Sequence, residues 1–185
     1  MKLKKKIFIP LVVFLIGTCL AGLIVYKTNL YEKENKLTIT QLNATTYGER
    51  IKQEISDGIE ITHTLQQLLI DGNETINKFD TIANNLVNDS VESIQLAPNG
   101  VVTDIYPEEG NEAGKIDLLH DKERGKISCY ARDDHILITQ GPFKLKQGGE
   151  GIAVRNPVYL EDGTGQEYFW GFTIVVLRVP DVFSE

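Results

Sequence analysis

Two cysteines are all that the 185 residues contain. Cys19 lies inside an apolar run and Cys129 stands alone far beyond it, so no disulfide framework can staple the fold. Cys129 reads first as a small buried hydrophobe, with an intermolecular disulfide or a reactive thiol as the alternatives. Catalytic signatures are missing too: there is no G-x-S-x-G elbow, no P-loop lysine, no H-E-x-x-H and no G-x-G-x-x-G after a strand. His63, His120 and His135 show no metal-ligand spacing, and His120 beside Asp121 reads as a solvated pair. No enzymatic activity, cofactor or metal is expected.

Positive charge is scarce past the first residues. Four of the 19 Lys+Arg are Lys2, Lys4, Lys5 and Lys6, leaving fifteen against 26 Asp+Glu, a net charge of about −11 beyond the start. A surface this acidic argues against nucleic acid and against anionic headgroups as partners, because phosphate binding needs clustered Lys and Arg. Long hydrophobic runs are equally rare. After residue 26 the longest, Phe172 to Leu177, is strand-length.

One long run is present, at residues 7–26, directly after the lysines. Its length is about that of a helix crossing a bilayer, and the lysines place residues 1–6 in the cytoplasm. A cleaved signal peptide shares the basic start, but its apolar core usually has about 7–15 residues. Gly17, Thr18, Ala21 and Gly22 could still admit a peptidase, and Cys19 faintly resembles a lipoprotein cleavage site. The expected organisation is a cytoplasmic tail at 1–6, a span at 7–26, a stalk helix at 27–48 and an extracytoplasmic domain at 49–185.

Residues 30–70 lack proline and carry apolar positions at helical spacing: Leu30, Leu37, Leu42, Ile51, Ile55, Ile59, Leu65, Leu68 and Leu69. Gly48 and Gly58 each weaken such a helix by roughly 1 kcal/mol relative to alanine. A rod of this kind needs a partner, either a second copy or the domain it leads into. A second helix is expected at 74–87, with Phe79, Ile82, Ala83, Leu86 and Val87 inward. The period then changes to 2. Val91–Leu96 reads as a strand, Ala97-Pro98-Asn99-Gly100 as a turn and Val101–Tyr106 as the return.

An acidic loop at 107–112 follows, then a cap or turn at Asp117 and a helix at 121–131. Strands are expected at 135–139, 143–145, 151–160 and 168–179, with a break at Gly141-Pro142 and a hairpin turn at 161–165. Gly148-Gly149-Glu150-Gly151 sits between strands, as a hairpin loop rather than a phosphate loop. The fold class is α+β: an antiparallel sheet built of hairpins, with helices on one face.

Six motifs then occur in order: Gly114-Lys115-Ile116-Asp117-Leu118-Leu119; Tyr130-Ala131-Arg132; Thr139-Gln140-Gly141-Pro142-Phe143-Lys144-Leu145; Gln147-Gly148-Gly149-Glu150-Gly151-Ile152; Arg155-Asn156-Pro157-Val158-Tyr159; and Phe169-Trp170-Gly171-Phe172. With Leu96–Val102 and Tyr106-Pro107, their order and spacing resemble the CHASE domain over about residues 49–183. That domain is the extracellular sensory module of histidine kinases and cyclases, including plant cytokinin receptors and many bacterial diguanylate cyclases. The resemblance implies a stalk helix, then a PAS-like α+β domain enclosing a small-molecule pocket. It also implies a role in signal transduction, with cyclic-di-GMP signalling as the output of the cyclase members.

In the plant receptors of that family an aspartate hydrogen-bonds the adenine ring, and the spacing to the Ala-Arg and Pro-Phe pairs carries this role to Asp117. A strand position that meets ligand through its backbone falls on Thr139. The residues themselves offer a second reading of Asp117, as a cap for the backbone before Leu118-Leu119. Arg155, on a strand among apolar neighbours, is a candidate for an anionic ligand group or for an edge salt bridge. Tyr106, Tyr159 and Trp170 line a cavity or fill the core.

Family members continue past the last strand into a second span and an output domain. The expectation is therefore either a fragment of a longer gene or a free-standing truncated sensor domain: single-pass at the cell membrane, lacking its own output domain, homodimeric through its stalk, with an unidentified small-molecule ligand. The alternative is a non-sensing structural or interaction protein that pairs with an intact sensor homologue or another membrane partner.

Overall fold

The computed structural model describes residues 2–108 and 113–179, with side chains from Leu11 onward. Eight elements follow one another: α1 (Lys2–Asp71), α2 (Phe79–Leu86), β1 (Val91–Pro98), β2 (Asp104–Tyr106), α3 (Gly125–Asp133), β3 (Ile138–Lys144), β4 (Glu150–Glu161) and β5 (Glu167–Val179). The chain divides into two units, Met1–Gly48 and Glu49–Glu185.

The first unit is helical throughout its described residues. Its apolar side chains, Phe14, Leu23 and Ile24 among them, are exposed. Among the described residues α1 is the helix long and apolar enough to cross a membrane. Thr18, Thr28, Thr38 and Thr40 fit into it by donating their hydroxyls to the carbonyls of Phe14, Ile24, Glu34 and Lys36. Gly48 and Gly58 do not interrupt α1.

The second unit is α+β, a PAS-like five-stranded antiparallel sheet in the order β2-β1-β5-β4-β3 with flanking helices. Consecutive hairpins account for β1–β2, β3–β4 and β4–β5, whereas β1–β5 joins the first strand to the last across the middle of the sheet. The first hairpin turns tightly. Asn99 and Gly100 both have positive φ (52° and 85°), and Val101 N–H donates to the Pro98 carbonyl, the pattern that matches strand twist. A Cβ on Gly100 would stand 2.6 Å from Leu119 Cγ, so glycine is required there twice over.

Helices cover both faces of the sheet, not one. The C-terminal part of α1 and α2 cover the face bearing Ile94, Leu96, Val154, Val158, Val175 and Leu177. The loop before α3 and α3 itself cover the face bearing Ala97, Ala153, Phe172, Ile174 and Val176. Odd and even positions of β5 serve different cores, which explains why its sequence is apolar almost without interruption.

The buried stripe of α1 runs through Gly58, Thr62, Leu65 and Leu69. Ile59, expected in that seam, is half-buried. Gly58 holds its place because even a methyl group would come within 3.2 Å of Leu177 Cδ1 and 3.4 Å of Val154 Cγ2. Two polar contacts register the helix on the sheet. Asn156 Nδ2 donates to Gln66 Oε1 (2.9 Å), and Thr173 Oγ1 donates to the Thr62 carbonyl (3.0 Å). Asn156 and Thr173 are paired neighbours on β4 and β5.

Several boundaries differ from the sequence reading. Helix α2 starts at Phe79 rather than 74, because Asn73, Glu74 and Lys78 adopt positive φ and turn the chain. The return strand keeps three residues, and Val101 instead forms an isolated bridge with Asp117. Helix α3 starts at Gly125, after a turn in which Asp121 Oδ1 accepts from the N–H groups of Glu123 and Arg124. Strand β3 runs through Gly141-Pro142, where a break was expected; a bulge between Gln140 and Phe143 absorbs the irregularity. Of the acidic loop, residues 109–112 lie outside the described residues.

Candidate functional site

Strand parity creates the site. Ser93 and Gln95 of β1, Ile174 and Val176 of β5, and Ala153 and Arg155 of β4 share the α3 face of the sheet's middle. Ile116 and Leu118, Arg124, and the segment from Phe143 to Gln147 complete the wall of a cavity of about 130 Å³. Ala153 contributes little bulk, and the cavity lies beside it.

The floor is polar, although the face around it is apolar. Gln95 Nε2 donates to Ser93 Oγ at 2.9 Å, and both residues are buried. Arg155 is 3% exposed. Its Nη1 donates to Gln140 Oε1, but its Nε has no hydrogen-bond partner. An unpaired buried donor on a cation is costly. Burial, reinforced by the neighbouring Arg124 cation and opposed by Asp121, pulls the Arg155 pKa down to about 10.

The wall is cationic in a chain whose formal net charge is −7. Arg124, Lys144, Lys146 and Arg155 line it, with Glu92 as the acidic residue among them. Glu92 is committed to Arg178, whose Nε and Nη2 both donate to its Oε2 (2.9 and 2.5 Å). Asp121, outside the wall, lies 3.6 Å from Arg124 Nη1 and spends its other oxygen on two backbone N–H groups. A second hollow of about 420 Å³ adjoins the first and shares Arg124, Phe143, Lys144 and Arg155 with it. The arrangement can hold a compact anion between guanidinium groups, with apolar surface beside it.

The four residues singled out from sequence are not brought together. Arg155 lines the cavity and makes no edge salt bridge among the described residues. Asp117 sits beside it in sequence order, between the lining residues Ile116 and Leu118, but not on the wall. Its Oδ1 accepts from the N–H groups of Leu119 and His120 (both 3.1 Å), and its Oδ2 lies 2.9 Å from His120 Nδ1. Desolvation raises the Asp117 pKa, but these hydrogen bonds outweigh it and hold the carboxyl below its usual range. Thr139 is exposed on β3, opposite Val154. Tyr106 packs against the other core, its hydroxyl donating to Asn84 Oδ1 (2.6 Å).

Tyr159 and Trp170 also lie off the wall. Tyr159 stacks on His135 at a ring separation of 3.8 Å and donates to the Arg132 carbonyl, while Trp170 fills the α1-side core. Ser93, Gln95, Gln140, Arg124 and Lys144 were not singled out. The signal for the first two was present as polar residues alternating along a strand; only the cover on both faces turns that pattern inward.

No protein-family model matches the chain, and no curated protein matches it. Among solved structures, the fold is similar to that of an extracellular ligand binding receptor from Desulfohalobium retbaense DSM5692, with a TM-score of 0.56 at 16% identity. The likeness covers 72% of this chain and 24% of that one, so the chain spans about a quarter of that receptor. It is a likeness of fold.

Proposed function

We propose that the chain is a membrane-anchored, extracytoplasmic ligand-sensing domain of the CHASE type, serving signal transduction. The observation that carries the reading is a cavity on the covered face of the sheet whose wall includes a buried, incompletely bonded arginine. A core built only for stability has little reason to keep such a group. The fold shared with an extracellular receptor supports the reading, as does a helix long and apolar enough to span a bilayer. In this reading residues 1–6 are cytoplasmic, the domain from residue 49 lies outside the cell membrane, and two copies pair through the stalk, where the exposed Leu30 and Leu37 share one helix face. On the same reading the site binds its small molecule without transforming it.

The engagement of Asp117 in its turn favours the second reading, a non-sensing interaction protein, for that residue alone; the open cavity favours sensing. Thermal unfolding of the full chain in detergent micelles, followed by the fluorescence of the single tryptophan, separates the two. A small-molecule library should contain compounds that raise the midpoint by a few degrees through mass action. If no compound does so at saturating concentration, the receptor reading is abandoned.

A further inference from the structure

Arg155 is the feature that the fold alone leaves unexplained. Its guanidinium is almost fully buried, its Nε is unpaired, and a second guanidinium, Arg124, repels it. Asp121 is the carboxylate that opposes this electrostatically, and it is already occupied by Arg124 and by the turn before α3. Replacing a buried ionic group by an apolar one of similar size is often neutral or stabilising. Binding of an anion beside Arg155 would account for all of these facts together.

We propose that the cavity binds a compact molecule bearing a carboxylate, which pairs with Arg155 between it and Arg124. The planar guanidinium offers parallel N–H donors that match a carboxylate's two oxygens. Nη1 is committed to Gln140, and Nε, closed off from solvent, has no acceptor, so the guanidinium as a whole is short of hydrogen-bond partners. The remainder of the molecule rests against Ile116, Leu118 and Phe143, while Gln95 and Ser93 present polar groups from the floor. Size follows from the volume. A cavity of roughly 150 Å³ accommodates a benzene, so about 130 Å³ seats the carboxylate end of the molecule with a short apolar group, and a longer acid continues into the adjoining hollow of about 420 Å³ that shares Arg124 and Arg155. The inference rests on the receptor reading and narrows its ligand to one chemical class.

The test is thermal unfolding of the full chain in detergent, at ionic strength held constant with sodium chloride. Acetate, pyruvate and succinate are compared with acetamide and succinamide, and with sulfate. The expected result is a midpoint rise of a few degrees with one or more carboxylates and none with the amides. In Arg155→Met the rise disappears, affinity falling by roughly tenfold to a hundredfold, while the unliganded midpoint stays level or increases. If that variant fails to fold, Arg155→Lys retains charge without the planar fork and should show a reduced rise. Amides acting as well as the acids, sulfate acting in place of them, or a full carboxylate response in either variant overturns the carboxylate assignment and leaves the receptor reading intact. Should the acids fail while neutral library compounds stabilise the chain, the assignment also falls and the receptor stands; silence from every compound defeats both.

Discussion

Single residues carry opposite lessons in the two glycines of α1. An added Cβ at Gly48 meets nothing within 4 Å, whereas at Gly58 it comes within 3.2 Å of Leu177. Gly48→Ala should therefore slow amide hydrogen exchange around that turn, by the roughly 0.5–1 kcal/mol that separates glycine from alanine in a helix. Gly58→Val should lower the stability of the domain by about 1–3 kcal/mol through overpacking, measurable by urea unfolding. Asp117 makes a third case. Its folded pKa lies below the ordinary 3.8, so its contribution is fully present above that value and fades as pH falls through the lower folded one. Asp117→Asn keeps an acceptor for the two backbone N–H groups but loses the charge beside His120, so it should be less stable than the parent near neutrality by less than about 1 kcal/mol. The gap should close in acid; a gap that stayed constant down to pH 2, on the order of two units below the ordinary value, would assign the loss to something other than the charge.

Among the elements, α1 is legible from its spacing because helical periodicity is a local property. Its seam was less so. Gly58 and Thr62 occupy it without being large or apolar, since close approach and a bond to the sheet, rather than hydrophobicity, select them. Leu65 is fully buried in the same seam, and Leu65→Ala should cost about 2–5 kcal/mol, again read by denaturant unfolding. The strands of β4 and β5 were legible nearly to the residue, as long apolar runs around a glycine-rich turn. Strand β3 was not: Gly141-Pro142 is a breaker in isolation, and pairing with β4 on one side supplies the bonds that carry the strand across it. The start of α2 was misplaced for the converse reason, since positive φ at Asn73, Glu74 and Lys78 is invisible to periodicity.

For the whole molecule, the topology reading makes a physical prediction. Protease added outside intact cells should digest the domain beyond Lys27, and survival there with digestion only after permeabilisation would reverse the orientation. Leu37 is exposed on α1, so a Leu37→Cys variant in which the free Cys19 and Cys129 are replaced by serine, oxidised in membranes, should run at twice the 20.7 kDa monomer mass; a band at the monomer position would leave the stalk unpaired.

The sequence by itself determined what depends on near neighbours: the apolar run and its flanking lysines, the helical and two-residue periods, and the hairpin turns. Pairing of β1 with β5, across some eighty residues, was decided only in three dimensions, because nothing in either strand names its partner. That pairing sets Ser93 and Gln95 on the same face as Arg155, one strand away with β5 between, and the cover supplied by α3 and its preceding loop then buries them. A polar strand face and a buried cation become a site only when distant segments close over them.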